Sequence, residues 1–416
     1  MKYILFVLIV CLFYSFSNVN DVAKLNDMAA DQVQKQNYDS ALVILASALK
    51  NAPNNDTSLY IRSTIKFYQK DYQGAETDIL NAIRYNPENL DYKRFYISSL
   101  VKLGKFTQAI SLATELIEDN SKDTIAYAIR AKAYSESKEW LKAVDDYTKL
   151  LEISPNSKIY STRAKMYSAF GYTEKAIADY TQAIKLDSGD APLFQLRAFA
   201  NLKIHKKDDA MRDFNRSIDL DSTTAIYYSN RSMLHRDLRH PVLAMTDLSK
   251  AIMLDSMFIQ AWQLRAMLKR ELNDLNGSIK DYQKCLKINP NDTLSLYALV
   301  IPLAKSGNER LAEEYCSRLI SLCPRDAKYY ALRSSLYMNQ DRLEDAIKDM
   351  NYAIEFDKFN ASYYANRAIL KFYTNIDSMC DDFTKAKELG YVPNTFDNEL
   401  IERCSNNTFE GEENED

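Results

Sequence analysis

The sequence predicts an all-α solenoid, and three observations carry that prediction. A small residue within the string Ala-Ile-x-Asp-(Tyr/Phe) returns at a near-fixed interval. Two amphipathic helical patterns fit inside each interval, and prolines stand where the second should stop. The register residues are Ala41, Ala75, Ala109, Ala143, Ala176, Ala210, Ala244, Ser278, Ala312, Ala346 and Met379. Their steps are 34 residues, apart from 33 at Ala143→Ala176 and Ala346→Met379. A period of this length marks stacked supersecondary units, each burying a face against its neighbours.

Placing the small residue at position 20 of a unit numbered 1 to 34 gives eleven units. They start at Val22, Asp56, Leu90, Thr124, Ser157, Ala191, Ala225, Ile259, Thr293, Ala327 and Ala361. Positions 4, 7, 8 and 11 share one helical face, and positions 20, 23, 24 and 27 share a face of a second helix. Between them lie turn residues such as Lys70-Asp71, Gly104-Lys105, Gly171-Tyr172 and Gly307-Asn308. Pro53, Pro87, Pro155, Pro290 and Pro324 fall at position 32, where a residue that cannot continue a helix ends the second one. A turn this short forces the two helices to pack antiparallel.

Position 8 is small in nine units, as in Ala29, Ser63, Ala131 and Ala164, which lets the two backbones approach closely. Position 24 supplies bulk through Tyr147, Tyr180, Phe214, Tyr282 and Phe383. Position 4 adds Tyr127, Tyr160, Phe194, Tyr228, Trp262, Tyr330 and Tyr364. With small residues also at 20 and 27 and Pro at 32, this layout resembles the tetratricopeptide repeat family. The strings Tyr227-Tyr228-Ser229-Asn230-Arg231 and Tyr363-Tyr364-Ala365-Asn366-Arg367 resemble its Tyr-Tyr-x-Asn-Arg variant. The resemblance spans roughly residues 22–391 and implies a right-handed superhelix of eleven hairpins that holds a protein or peptide.

Comparing the repeats with one another predicts an ion pair. Position 7 is Arg in eight units: Arg62, Arg130, Arg163, Arg197, Arg231, Arg265, Arg333 and Arg367. Position 23 is Asp in the same eight: Asp78, Asp146, Asp179, Asp213, Asp247, Asp281, Asp349 and Asp382. The other three units lack both charges, carrying Met28 with Ile44, Tyr96 with Leu112, and Leu299 with Tyr315. Each Arg is therefore expected to meet the Asp of its own hairpin. Losing one partner of a buried pair is costly, whereas replacing both with apolar residues can be nearly neutral. The rival reading is an arginine ladder for an acidic ligand.

In the resembled family, ligands lie along the first helices at positions 2, 5, 9, 12 and 13. One subclass clamps a terminal carboxylate with Lys at 5 and Asn at 9, and no unit here has that pair. Position 9 reads Lys132, Lys165, Phe199, Met233, Met267 and Ile301 in successive repeats, with Arg236 and Arg270 at position 12. This predicts an apolar strip with basic margins for an extended segment bearing hydrophobic and acidic side chains. The alternative is that position 9 packs against a neighbouring helix. In repeat 9, Pro302 falls inside the first helix and is expected to kink or break it, bending the stack locally.

The chain has 416 residues and a net charge of −4, but Glu410, Glu412, Glu413, Glu415 and Asp416 supply five negative charges at the C-terminus. Residues 3–409 are neutral, so nucleic acid is not expected as a partner. The expected domains are residues 1–20 as a signal peptide or membrane anchor, 22–393 as the solenoid, and 394–416 as an extension ending in a disordered acidic tail. The leader runs uncharged from Tyr3 to Phe16, short for a spanning helix. It predicts a periplasmic or secreted protein, with membrane association through the N-terminus as the alternative.

Cys285, Cys316, Cys323, Cys380 and Cys404 show no Cys-x-x-Cys and are expected to be small buried hydrophobes rather than a disulfide framework. His205, His235 and His240 have no companions at zinc-ligand spacing. No phosphate-cradling glycine run or Gly-x-Ser-x-Gly elbow is present. The expectation is a non-catalytic scaffold with no cofactor, metal or small-molecule substrate. A protein or peptide partner is favoured, with self-association as the alternative.

Overall fold

The computed structural model describes residues 21–374, 378–393 and 395–406; the proposed leader and the acidic tail from residue 407 lie outside them. Every described element is a helix. Residues 21–34 form the first, and its hairpin partner is Tyr38–Asn51. The first helices of repeats 2 to 6 are Asp56–Tyr68, Leu90–Lys102, Thr124–Glu136, Ser157–Ala169 and Ala191–Lys203. Those of repeats 7 to 11 are Ala225–Asp237, Ile259–Glu271, Thr293–Lys305, Ala327–Asn339 and Ala361–Tyr373. All ten begin on position 1 of the register. The chain is an all-α solenoid of helical hairpins.

Local chemistry explains why the boundaries repeat. The residue before each first helix is a cap in most repeats: Asn55, Asn89, Asp123, Asn156, Asp292, Asp326 and Asn360 each accept backbone N–H bonds from the first turn. The hairpin turn passes through a left-handed residue at position 15 in ten repeats. Three are Gly104, Gly171 and Gly307; the others are Gln36, Lys70, Lys138, His205, Arg239, Asn273 and Asp341. That conformation closes the first helix, because the next N–H reaches back to position 11, as Lys105 does to Leu100 and Asp274 to Lys269.

The small residues sit where the two helices of a hairpin touch. Ala29, Ala131, Ala164, Ala198, Ala266 and Ala368 at position 8 are fully buried, as are Ala41, Ala75, Ala109, Ala143, Ala176 and Ala210 at position 20. Where position 8 is Ser63 or Ser334, the hydroxyl donates across the seam to the carbonyl of Ala75 or Ala346. Pro302 does not break its helix, which spans the same thirteen residues as its counterparts. It lies in the last turn, so only one backbone bond is forfeited.

The chain divides into two compact units, Met1–Asp213 and Phe214–Asp416. In the first, a buried cluster joins repeats 3 and 4 through Ile97, Leu100, Leu116, Tyr127 and Leu150, with Ile159 of repeat 5 packed against it. In the second, Tyr282, Leu299, Val300, Leu303, Cys316 and Leu336 join repeats 8 to 10. Beyond repeat 11 a further helix, Thr395–Asn406, docks Leu400 and Ile401 onto Ala368, Met379 and Phe383.

Cys380 and Cys404 are joined by a disulfide, which corrects the expectation that all the cysteines are simple core residues. The bond depends on the docking of this last helix, which the repeat period does not encode. Cys285 and Cys316 are buried thiols, pushed up by burial to about 11 and about 12 respectively. Among the described residues no helix is long and apolar enough to cross a membrane.

Candidate functional site

In all eight charged hairpins the structure brings Arg and Asp together. Nε and Nη2 of Arg62, Arg130, Arg163 and Arg197 donate to the two carboxylate oxygens of Asp78, Asp146, Asp179 and Asp213. Arg231, Arg265, Arg333 and Arg367 bind Asp247, Asp281, Asp349 and Asp382 in the same fork. The distances run from 2.5 to 2.9 Å, as expected of charge-assisted bidentate pairs. All eight carboxylates are buried. These arginines are therefore committed to the hairpin seam.

The third guanidinium nitrogen does something the sequence comparison missed. Nη1 of Arg130, Arg163 and Arg197 donates to Thr114, Thr148 and Thr181 of the preceding repeat. In the second unit Arg231, Arg265, Arg333 and Arg367 reach Asn215, Ser249, Ser317 and Asn351 in the same way. Each of these seven arginines thus fastens its own hairpin and the one before it. A signal existed: position 25 is Thr, Ser or Asn before seven of the eight arginines, but Leu80 and Gln283 before the uncharged Tyr96 and Leu299.

The surroundings tune the carboxylates. Burial pushes Asp78 up, but the cations Arg62 and Lys66, the latter at 2.7 Å, outweigh it and hold the group below its ordinary value. Asp146 has Arg130 alone, since position 11 is Tyr134 there, and burial prevails and raises it. Lys269 and Lys371 form a second ion pair with Asp281 and Asp382, at 2.8 and 2.9 Å. In repeat 7 that place belongs to His235, whose Nε2 is 3.7 Å from Asp247 and whose buried Nδ1 has no hydrogen-bond partner. Burial lowers the His235 pKa.

With the arginines absorbed by structure, the exposed residues of the first helices remain as candidates for ligand contact. A groove of about 500 Å³ crosses the first helices of repeats 2 to 5. Phe67, Val101, Ile125, Ile129 and Ile159 give it apolar walls, with Tyr147 and Leu150 from a second helix behind them. Lys102, Lys132 and Lys158 line it, and no carboxylate does. These three lysines are exposed, and none enters an ion pair of the described residues. Arg94 nearby differs, being clamped by Asp91 and Asp123.

Of the sequence-derived binding residues, Lys132 lies in this groove and Lys165 is exposed on the next repeat. Phe199 is partly exposed in the same compact unit. Met233, Arg236, Met267, Arg270 and Ile301 belong to the other unit. There Met233 and Arg236 border a narrow crevice with Leu264 and Leu268, and Met267 packs onto the buried cluster around Leu299. Arg270 and Ile301 are exposed. Reading position 9 alone missed Lys102 and Lys158, which stand at positions 13 and 2.

Comparison with known proteins adds the following. Tetratricopeptide repeat family models match residues 97–158, 157–190, 259–292 and 327–360. No curated protein sequence matches the chain significantly. Among solved structures, yeast Tom70 is 15% identical, with 90% of this chain and 93% of that one covered and a TM-score of 0.46. The C-terminal part of a repeat protein from Cytophaga hutchinsonii is 15% identical, covering 57% of this chain and 97% of its own, at a TM-score of 0.48. MamA from Desulfovibrio magneticus RS-1 is 22% identical, covering 40% and 94%, at a TM-score of 0.37.

Proposed function

Because the chain belongs to the tetratricopeptide repeat family, we propose that it is a non-catalytic scaffold gripping an extended segment of another protein. The observation that carries this reading is the groove of repeats 2 to 5. Its apolar walls offer burial to hydrophobic side chains, worth about 25 cal/mol per Å² removed from water. Its three unpaired lysines offer partners to carboxylates at the rim. A segment with both kinds of side chain satisfies both; a basic segment would meet three like charges.

The scaffold works outside the cytoplasm on this reading. Supporting it are the leader-like composition of residues 1–20 and the Cys380–Cys404 bond, which suits an oxidising compartment. The partner is then a component of the cell envelope or of its exterior.

The test is site-specific photo-crosslinking in the native cell with the probe at Ile129, in the groove, and at Lys149, an exposed site on a second helix. Capture of a discrete protein from Ile129 but not Lys149, through an acidic and hydrophobic stretch located by mass spectrometry, is expected. Capture only from Lys149 would move the site elsewhere. The same experiment reads the mature N-terminus, and a chain retaining Met1 in a reducing compartment would contradict the location.

A further inference from the structure

The outward face of repeat 7 breaks a pattern that the other repeats keep. Its second helix, Pro241–Leu254, exposes Val242, Thr246, Ser249 and Met253, which recur at i, i+4, i+7 and i+11 and so share one face. Position 29 holds a charged residue throughout repeats 1 to 10 except at Ser321 and here, where it is Met253. Val242 is 76% exposed and Met253 68%, and Met257, just past the helix, is 63% exposed. A hollow of about 300 Å³ bordered by Val242 and Leu243 extends the apolar end of the helix. In repeat 8 the outward positions 22, 26 and 29 are Lys280, Lys284 and Lys287. All three are exposed and enter no ion pair among the described residues. The only carboxylates of the two second helices, Asp247 and Asp281, are buried in their seams. We infer that this face docks on an anionic bilayer surface, its apolar side chains entering the interface and its lysines meeting acidic headgroups.

A membrane fits this face better than a protein does. Protein interfaces are anchored by aromatic and Arg side chains and hold few lysines. Neither helix contains an Arg, and Tyr282, their one aromatic residue, is fully buried. Exposed aliphatic side chains next to lysines are the pattern of surfaces that rest in the headgroup layer of acidic membranes. Methionine and lysine are long and flexible, so they adapt to a fluid partner. The neighbouring repeats limit the patch. Asp219, Glu314 and Glu355 stand at outward positions of repeats 6, 9 and 10, where an anionic surface repels them. The face lies in the second compact unit and shares no residue with the groove, so neither reading depends on the other.

The test is sedimentation of the chain, as purified from its native cell, with vesicles of phosphatidylcholine alone or mixed with phosphatidylglycerol. The mixed vesicles are expected to bind at least about tenfold more tightly, and salt should release the chain. Lys280→Gln, Lys284→Gln and Lys287→Gln together should weaken that binding about tenfold or more. Val242→Ser, Met253→Ser and Met257→Ser, which alter no charge, should weaken it about tenfold as well. All six positions are exposed, so circular dichroism should show unchanged helicity. Lys102→Gln, Lys132→Gln and Lys158→Gln, which remove as many charges from the groove, should leave vesicle binding unaltered. Equal binding by every variant, as would follow if residues 1–20 or net charge carried it, would overturn the inference. So would equal affinity of the natural chain for both kinds of vesicle. Photo-crosslinking from Met253 to a discrete protein rather than to lipid would assign the face to a protein partner and overturn it too.

Discussion

A forked Arg–Asp pair inside a helical seam is strong only as a unit. Asp179 is buried with Arg163 bound through two nitrogens, so Asp179→Ala strands a guanidinium in the seam and should cost about 3 kcal/mol. The double change Arg163→Leu with Asp179→Leu imitates the apolar seam of Leu299 with Tyr315 and should recover more than half of that loss, measured by urea unfolding. The pairs also differ in acid. Asp78, held below 3.8 by its cations, contributes stability that is present above 3.8 and lost as pH falls through its depressed value. Asp146, raised above 3.8 by burial, favours the folded state when protonated, and that contribution fades as pH rises through its elevated value. Carboxyl NMR should therefore show Asp146 taking up its proton first on acidification and Asp78 well after it. The pairing itself was legible in the sequence, because Arg and Asp appear and vanish together across eleven units. The third bond that seven of the arginines make was not, because it crosses to the preceding repeat and its acceptor alternates among Thr, Ser and Asn.

Each of the ten described hairpin turns passes through a residue that must turn left, and only three use glycine there. A side chain in that conformation costs roughly 1 kcal/mol because its Cβ crowds the neighbouring carbonyl. Lys138, at φ 67°, is exposed and enters no ion pair among the described residues, so Lys138→Gly should stabilise the chain by up to about 1 kcal/mol, read as a higher thermal midpoint. Most of the first helices begin on position 1 behind a capping Asn or Asp, and the second helices stop just before the place where the register put proline or an equivalent break. Those boundaries were readable, since they follow from local chemistry repeated many times. The helix Thr395–Asn406 was not, because it occurs once, outside the period, and owes its place to docking against repeat 11. Pro302 shows the opposite limit: the residue forecasts a broken helix, but its place in the last turn leaves little to break.

A stacked chain distributes its stability over neighbouring repeats, so damage should stay local. The Cys380–Cys404 bond closes a loop with a sequence separation of 24, which corresponds to about 3 kcal/mol of chain entropy. Cys404→Ser should accordingly raise hydrogen exchange in Thr395–Asn406 and repeat 11 while leaving the amides of repeats 3 to 5 protected. At this scale the architecture could be read from one sequence because eleven imperfect copies stand in for an alignment. The candidate groove could be read only in part. Lys132 announced itself at position 9, but Lys102 and Lys158 join it from other register positions, and the packing of Met267 depends on side chains no period predicts. On the proposed reading, the groove's charge is what makes this scaffold choose a ligand. The most direct measurement is a titration of the full chain with two labelled peptides of identical hydrophobic residues, one carrying glutamates and the other lysines. The acidic peptide should bind, lose affinity as salt rises, and fail on the Lys102→Glu, Lys132→Glu, Lys158→Glu variant. Equal binding of both peptides, or indifference to those three substitutions, would contradict the account.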